Sequence, residues 1–303
     1  LDDCVQTHTV AWFLDFVGSR ETLRKGKREM TETLADLYEA RFGEATDLGK
    51  DRSAEGEIAR QLAHRSRRRW ADKPVDDDLL QLLFAAALSI PTKSDLMQYA
   101  VLHVEDQAKK DRVAKLIPSM AWIADAPVFL VFCGDGRRIR KVCELRGTDF
   151  AHEEIDSFFN PTVDAALAMS AFIRAAEGEG LVTCPISAVR EPVTEISEML
   201  ELPKYVFPVA GLCVGYPDWE PWVSLRLPPR VMAHKDRYDD ANFVAEIDGY
   251  DARRAERNPI KRQREVEKYG EKELYGWSDD KSRQVSHLER GNFADFIRRS
   301  FKI

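Results

Sequence analysis

Two nearly unbroken apolar segments, residues 126–133 and 206–214, constrain the fold more than any other feature of this sequence. Runs of this kind are typical of central strands that are covered on both faces. Shorter strand-like segments are predicted at residues 100–104 and 181–187. Helical patterns are predicted over residues 30–43, 54–64, 76–88, 160–177 and 192–201, with a last helix around Phe293, Phe296, Ile297 and Phe301. Because helices and strands are interleaved without strict βαβ alternation, we expect an α+β fold in which helices cover a sheet.

Two regions carry more specific expectations. The helix over residues 160–177 should begin with Asn160 as its cap and Pro161 in its first turn. Its stripe of small and apolar residues should allow close packing; the stripe consists of Val163, Leu167, Ser170 and Ala171. From about residue 234 the chain becomes strongly charged and is expected to be irregular up to the last helix.

The charge balance excludes several classes of partner. The 45 lysines and arginines against 52 acidic residues give a net charge of −7, so no domain-wide basic field can hold a nucleic acid or an anionic membrane. The longest apolar stretch, residues 205–216, is shorter than the ~20 residues that cross a bilayer. Asp2 and Asp3 stand where an export signal needs positive charge. We therefore expect neither a nucleic-acid nor a membrane partner.

The cysteines and histidines predict neither a disulfide framework nor a metal centre. The 5 cysteines contain no C-x-x-C pair, and the 6 histidines show no spacing typical of a metal site. Thiols in this arrangement are expected to be reduced, which favours a cytoplasmic location. Most of them are interpreted as small buried apolar side chains.

The densest cluster of cations is the run HRSRRRW at residues 64–70. Arginine forks pair bidentately with phosphate oxygens and Ser66 adds a hydroxyl donor, so one interpretation is a phosphate site. In an extended turn, Ser66 and Arg68 would face one ligand while Arg67 and Arg69 face water. The alternatives are a solvated basic helix end and, disfavoured by the net charge, a nucleic-acid patch.

Three further segments place polar or small residues where a ligand can bind. The loop between a helix and a strand at residues 91–98 offers Thr92, Lys93, Ser94 and Gln98. An apolar strand ends in small residues that let a flat ligand approach the backbone, namely Pro185, Ile186, Ser187 and Ala188. Arg226 is a single cation after a loop rich in tryptophan and proline. Each segment is also compatible with an ordinary polar loop.

Taken in order, these segments resemble the flavin nitroreductase family, in particular its oxygen-insensitive NADPH nitroreductases and NADPH-flavin oxidoreductases. The motifs that carry the resemblance are His64-Arg-Ser-x-Arg68, Ala126-Pro-Val-Phe-Leu-Val-Phe, Ala175-Ala-Glu177 before Gly180-Leu, the segment from Leu202 to Pro217, Arg226-Leu-Pro228, His234 with Tyr238, and Trp277-Ser278. The resemblance runs from about residue 57 to the C-terminus. We accordingly expect an FMN-binding domain at residues 57–303 with a C-terminal excursion at 230–303. Residues 1–56 are interpreted as an N-terminal extension, of which 1–29 lie outside the functional fold.

The resemblance implies an intertwined homodimer with a mostly antiparallel sheet and two FMN sites at the interface. It also implies that hydride passes from NADPH or NADH through flavin N5 to a nitroaromatic, quinone or flavin acceptor, in ping-pong turnover without a side-chain acid or base. The residues that match those holding the FMN phosphate and ribityl chain are His64, Arg65, Ser66 and Arg226. Arg68 matches the cation beside the pyrimidine edge of the ring, where reduction adds negative charge. Residues 92–98 match the ribityl-side loop, and residues 185–188 match the backbone at the N5 edge.

Some positions depart from the family pattern. Met120, beside Trp122, replaces a glutamine that binds the flavin ring, Ser187-Ala188 replaces Gly-Gly, and Ser224 replaces a lysine. The arginines that bind the NADPH 2′-phosphate have no one-to-one match in the longer excursion at residues 251–276. The candidates there are Arg262, Arg264, Lys268 and Lys272. A specialised member (a reductive dehalogenase or a flavin-modifying enzyme) and a flavin-binding redox module with little turnover therefore remain as alternatives.

Overall fold

The sheet consists of four antiparallel strands in the order β1-β2-β4-β3. The structure, a computed structural model, describes residues 32–301. Its strands are β1 (Tyr99–His103), β2 (Val128–Asp135), β3 (Val182–Ile186) and β4 (Val206–Gly215). Every residue of β2 and β4 is buried, as the two apolar segments predict for central strands. The α+β class with an antiparallel sheet is confirmed.

Helices surround this sheet and account for most of the remaining regular structure. Within residues 32–301 they are α1 (Leu34–Phe42), α2 (Gly56–Ala63), α3 (Asp77–Leu88), α4 (Gln107–Leu116), α5 (Arg137–Arg146), α6 (Asp156–Gly178), α7 (Val193–Met199), α8 (Phe243–Arg257), α9 (Val266–Tyr269), α10 (Trp277–Gln284) and α11 (Gly291–Phe301). Short 3₁₀ turns lie at Lys93–Asp95, Pro118–Asp125, Ser187–Arg190 and Pro229–Val231. The helices predicted before residue 202 are present within a few residues of the expected bounds.

Apolar side chains cover both faces of the sheet. On one face, Phe172 of α6 packs edge-on against Phe132 of β2, with the ring centroids 6.1 Å apart. On the other face, Val113 of α4 and Ile196 of α7 belong to the cluster that buries Phe129. A fully buried side chain of this size contributes about 1.5–3 kcal/mol. Because helices occupy both faces, the edges and ends of the strands are what remain for binding.

The start of α6 differs from the prediction. The helix begins at Asp156, so Asn160 is not its cap and Pro161 lies in the second turn. The extra turn is stabilised because the ring of Phe158 packs against that of Phe207, with centroids 5.1 Å apart. Pro161 leaves the carbonyl oxygen of Ser157 without its helical hydrogen bond, so the packing of Phe158 must offset a cost that a proline in the first turn would not impose.

The charged C-terminal region is more regular than predicted. It contains α8, α9 and α10 in addition to the expected last helix. Tyr250 of α8 is 2% exposed, and its hydroxyl donates to the Leu225 carbonyl oxygen at 3.0 Å. Its ring meets Trp277 of α10 edge-on at 5.4 Å. One buried aromatic residue thus anchors a helix whose other faces are mostly charged. Such a sequence shows little apolar periodicity, so the helix was not predicted.

The N-terminal part of the described chain is folded against the rest. Leu34 and Leu37 of α1 form a small core with Ala59 of α2. Residues 1–29, which are predicted to lie outside the functional fold, are not among the described residues, and neither is Cys4. Of the other cysteines, Cys133, Cys184 and Cys213 are buried free thiols. No helix within residues 32–301 is long and apolar enough to traverse a bilayer.

Candidate functional site

The basic run lies along the outer side of β3. The backbone N–H of Arg67 donates to the carbonyl oxygen of Thr183 at 2.9 Å, which aligns the two segments. The run therefore lies beside the strand that ends in Pro185 and Ile186, of which Pro185 is exposed. Two segments that the sequence analysis treated separately are neighbours in the structure.

Arg226 is brought to the same place by a residue that the sequence analysis did not identify. The backbone N–H of Arg226 donates to the carbonyl oxygen of Arg41 at 2.9 Å. Burial lowers the pKa of the Arg41 guanidinium to about 10, and the nearby charges of Arg226 and Arg65 act in the same direction. Three guanidinium groups therefore converge, which is the electrostatic setting of an anion site.

The Arg65 side chain retains an unpaired hydrogen-bond donor that could bind such an anion. One of its terminal nitrogens lies 2.8 Å from a carboxylate oxygen of Glu220, a residue whose side chain is 65% exposed. The Nε of Arg65 is buried and has no hydrogen-bond partner among residues 32–301. A phosphate group would satisfy this donor and would offset the convergent charge. Ser66, next in the chain, is half-buried.

His64 is held in one orientation by α6. Its Nδ1 lies 2.6 Å from a carboxylate oxygen of Glu177, and both side chains are mostly buried. This contact joins the end of α2 to the end of α6, so it fixes the start of the basic run. His64 thereby acts on the position of Arg65 and Ser66 as well as through its own ring.

The predicted orientation of the run is wrong for Arg67. Its side chain is only 11% exposed, and it donates to the carbonyl oxygen of Trp219 at 2.8 Å and pairs with Glu220 at 3.2 Å. The loop after β4 folds over this side chain and supplies both partners. Arg69 does face solvent, as predicted, and pairs there with Asp218.

Arg68 lies beside Trp122 and close to Cys184 of β3. Its guanidinium carbon is 6.0 Å from the ring centroid of Trp122. Burial raises the pKa of the Cys184 thiol, and the charge of Arg68 opposes this effect, so the two residues are close. The ring centroids of Trp122 and Trp70 are 5.9 Å apart. Met120 lies in the same 3₁₀ turn as Trp122, Pro118–Asp125. Arg68 therefore combines an exposed charge with an aromatic and apolar wall.

The end of β3 has a second cation that sequence reasoning missed. A terminal nitrogen of Arg290, just before α11, donates to the hydroxyl of Ser187 at 3.2 Å. The Nε of Arg290 is buried without a partner among the described residues. Ser187 is exposed and Ala188 is buried, and the Arg290 guanidinium also pairs with Glu289 at 3.2 Å and with Glu191 at 4.0 Å.

The loop at residues 91–98 is shaped by one buried carboxylate. Asp164 of α6 is 1% exposed and accepts the backbone N–H groups of Lys93 and Gln98, each at 3.1 Å. Between these anchors, Ser94 and Met97 adopt positive φ angles of 51° and 48°. Left-handed backbone at side-chain-bearing residues costs energy and is characteristic of binding loops. The loop thus has a defined shape rather than that of a loose connection.

Other polar groups of this loop are close to the anchors. The hydroxyl of Thr92 accepts the backbone N–H of Met97 at 3.3 Å, and the Lys93 ammonium donates to the Ser94 hydroxyl at 3.0 Å. The side-chain nitrogen of Gln98 is buried and unpaired within the described chain. Like Arg65, Gln98 presents a donor that a ligand can satisfy.

The structure does not bring this loop to the basic run within one chain. The loop leads into β1, whereas residues 64–68 and 185–188 accompany β3, and these strands form opposite edges of the sheet. Three interstrand spacings of ~4.8 Å separate the edges by roughly 14 Å. The predicted residues therefore form two separate groups, which we propose below as a phosphate half-site beside β3 and a loop half-site before β1.

The family model described as the nitroreductase family matches residues 62–216. This chain belongs to the nitroreductase family. The FMN reductase (NAD(P)H) of Bacillus subtilis (strain 168) is 36% identical over 205 residues, which cover 66% of this chain and 82% of that protein. The resemblance inferred from the sequence is therefore confirmed.

Solved structures of nitroreductase-like proteins share the fold. NfrA2 of B. megaterium superimposes with a TM-score of 0.73 at 30% identity, covering 82% of this chain and 98% of NfrA2. The NADPH:FMN oxidoreductase of Vibrio harveyi, solved in complex with NAD+, superimposes with a TM-score of 0.70 at 25% identity, covering 80% of this chain and 97% of that one.

Arg41 and Arg226 both lie outside the segment that the nitroreductase family model matches. Within residues 32–301, no group of three or more histidine, cysteine or acidic side chains could hold a metal ion.

Proposed function

We propose that this nitroreductase-family chain is an FMN-dependent NAD(P)H oxidoreductase that reduces small acceptors such as nitroaromatics, quinones or free flavin. The observation that carries the proposal is the convergence of Arg41, Arg65 and Arg226 beside β3, with a buried donor left unpaired. FMN is an anion with a flat ring, and this half-site offers cations at one end and an exposed strand end at the other. Family membership supplies the reaction class.

Each predicted residue has a role in this proposal. Arg65, Ser66 and Arg226 bind the phosphate, and His64 fixes the segment that carries the first two. FMN, when bound, supplies the two-electron redox chemistry that links NAD(P)H to the acceptor. Arg68 places a positive charge beside the ring edge, where reduction adds negative charge. Residues 185–188 and the guanidinium of Arg290 border the opposite edge.

The separation of the two half-sites supports a homodimer. A loop half-site before β1 can complete a phosphate half-site beside β3 only if the loop comes from a second copy of the chain. An apolar face on α3 and α6 has no partner within the described chain, and its exposed members are Leu82, Leu88, Phe159, Val163 and Leu167. Exposed apolar patches of this kind mark interaction surfaces. Val163 and Leu167 belong to the stripe predicted for close packing.

A cavity in the C-terminal region contains two of the four candidate cations for the NADPH 2′-phosphate, Arg262 and Arg264. Arg254, Arg262, Arg264 and Arg283 line a cavity of about 770 Å³. Arg283 is 4% exposed, and one of its terminal nitrogens is unpaired within the described chain. Arg264 pairs with Asp280 at 2.9 Å, and Glu265 and Glu289 also line the cavity, so the arginines are partly neutralised there. The other two sequence candidates are engaged elsewhere: Lys272 pairs with Asp279, and the Lys268 ammonium lies 5.0 Å from the ring of Tyr269.

The visible spectrum of the purified protein tests the proposal. We expect bound flavin, loss of its oxidised absorption on anaerobic addition of NADPH or NADH, and recovery when a quinone or nitroaromatic is added. A colourless protein that also fails to bind added FMN would contradict the flavin assignment. Bound flavin that neither nucleotide reduces would instead identify a redox module with little turnover.

A further inference from the structure

Arg41 stands out because it is a buried cation whose side-chain hydrogen bonds within residues 32–301 all go to carbonyl oxygens. It lies in the last turn of α1 and is 5% exposed. Its guanidinium donates to the carbonyl oxygens of Leu62 at 2.9 Å, of Ser224 at 2.8 Å, and of His64. One side chain therefore joins the end of α2 to the loop after β4, two segments about 160 positions apart in the chain.

The backbone of Arg41 also contributes to the connection, as a hydrogen-bond acceptor. The carbonyl oxygen of Arg41 accepts the backbone N–H of Arg226 at 2.9 Å. Arg41 thus contacts both parts of the phosphate half-site, the residues that precede Arg65 and the residue that carries the second cation. Its planar fork suits this task, since one guanidinium can donate in several directions within a plane.

The charge of Arg41 has no ion-pair partner within 4 Å among residues 32–301. Burial, together with the charges of Arg226 and Arg65, lowers its pKa to about 10, and the charge of Glu177 acts in the opposite direction. A buried cation that faces two like charges is unfavourable in the free protein. A bound dianion would reverse that balance, which a purely structural side chain would not require.

Helix α1 is fixed firmly enough to present this residue. Glu39 of α1 pairs with Arg257 of α8 at 3.5 Å, and Arg257 also donates to the Glu39 carbonyl oxygen at 3.0 Å. Glu44, just after the helix, pairs with Arg230 at 2.6 Å and with Arg253 at 2.8 Å. The helix begins with a capping box formed by Thr33 and ends at Gly43, whose φ is 74°. The position of α1 is therefore determined by both neighbouring regions.

We propose that α1, which precedes the segment matched by the family model, contributes to phosphate binding at the phosphate half-site. Arg41 is a positioning residue: it holds the segments on either side of the half-site together and adds a third positive charge behind Arg65 and Arg226. This inference rests on the proposed function. It assigns the sequence before residue 57, interpreted above as an extension, a part in FMN recognition.

Comparison of FMN with riboflavin, which lacks the phosphate, isolates this role. In full-length protein freed of flavin, we expect Arg41→Met to raise the Kd for FMN by about tenfold or more, because a charge-assisted contribution is lost. The Kd for riboflavin should remain nearly unchanged, so the ratio of the two constants falls. Arg41→Lys keeps the charge and loses the fork, so it should restore part of the ratio. Flavin fluorescence titrations measure all four constants.

Arg257→Met is the matched control, because it removes a contact between α1 and α8 without touching the half-site. We expect it to leave the FMN-to-riboflavin ratio as in the wild type. Equal changes in both constants for Arg41→Met, or no change in either, would overturn the assignment of Arg41 while the proposed function stands. If the wild-type chain binds neither flavin, both proposals fail. Should Arg41→Met not fold, an Arg41→Lys variant with the wild-type ratio would overturn the positioning role.

Discussion

Replacing Arg226 or Arg65 with alanine is expected to raise the Kd for FMN by roughly 10- to 150-fold, since each charge-assisted contact contributes ~1.5–3 kcal/mol. The Arg226 side chain is exposed, and its hydrogen-bond partners within residues 32–301 are the Ser224 hydroxyl and the Leu225 carbonyl oxygen of its own segment, so its loss should disturb the fold little. Arg65 has the unpaired buried Nε and should show the larger effect. Flavin titration of the purified variants, with thermal melting of the flavin-free protein, measures both quantities.

The chain provides a matched control for this prediction. The Arg237 side chain is 81% exposed and, in the part of the chain that the structure describes, pairs with Asp239, yet Arg237→Ala removes the same charge. We expect this variant to bind FMN as the wild type does. If Arg237→Ala weakens binding as much as Arg226→Ala, the effect is one of net charge, and the phosphate assignment is contradicted. Unchanged flavin affinity in both Arg65→Ala and Arg226→Ala would contradict it as well.

Replacing Arg68 with methionine is expected to slow the reduction of bound FMN by about 10- to 100-fold while FMN affinity falls by a much smaller factor. The reason is that Arg68 contributes where charge accumulates during reduction, whereas the phosphate is bound by other cations. Methionine is apolar and of similar length, so the apolar surroundings that Trp122 provides should persist. Anaerobic stopped-flow reduction with saturating NADPH gives the rate, and flavin titration gives the affinity.

Arg69→Met serves as the comparison, because Arg69 is the adjacent residue, is 68% exposed and pairs with Asp218. Its reduction rate should equal that of the wild type. An Arg68→Met variant that loses FMN but reduces its remaining flavin at the normal rate would refute the electrostatic role. A lowered midpoint potential of the bound flavin in Arg68→Met would support it independently.

The sheet and most helices could be predicted because burial leaves periodic patterns in the sequence. β2 and β4 are covered on both faces, so nearly every position is apolar. The start of α6 was misplaced because Asn160-Pro161 is a strong local signal, whereas the packing of Phe158 against Phe207 is a long-range one. α8 was missed because it is anchored mainly by Tyr250, and a single buried residue produces no detectable period.

The same difference between local patterns and long-range contacts explains which residues of the candidate site could be predicted. The basic run and Arg226 could be identified from residue type, since phosphate recognition requires cations. Arg41 could not, because its partners are backbone carbonyl oxygens, which every residue has. The orientation of Arg67 was wrong for the same reason, as a carbonyl of the loop after β4 captures it. Asp164 and Arg290 likewise act through contacts that only the folded chain creates.

The central claim is that FMN is bound between a phosphate half-site of one chain and a loop half-site of another. Mixed dimers test this most directly. One subunit carries Arg65→Ala and Arg226→Ala, and the other carries Lys93→Ala and Gln98→Ala; each variant alone should bind FMN weakly. In a dimer with one subunit of each kind, isolated through two different tags, one composite site is intact and the other is doubly altered.

The measurement is the number of tightly bound FMN molecules per mixed dimer. The account predicts one, with the affinity of the wild type, because the intact halves come from different chains. If both sites of the mixed dimer bind as weakly as the parent variants, each site is formed within a single chain, and the account is contradicted.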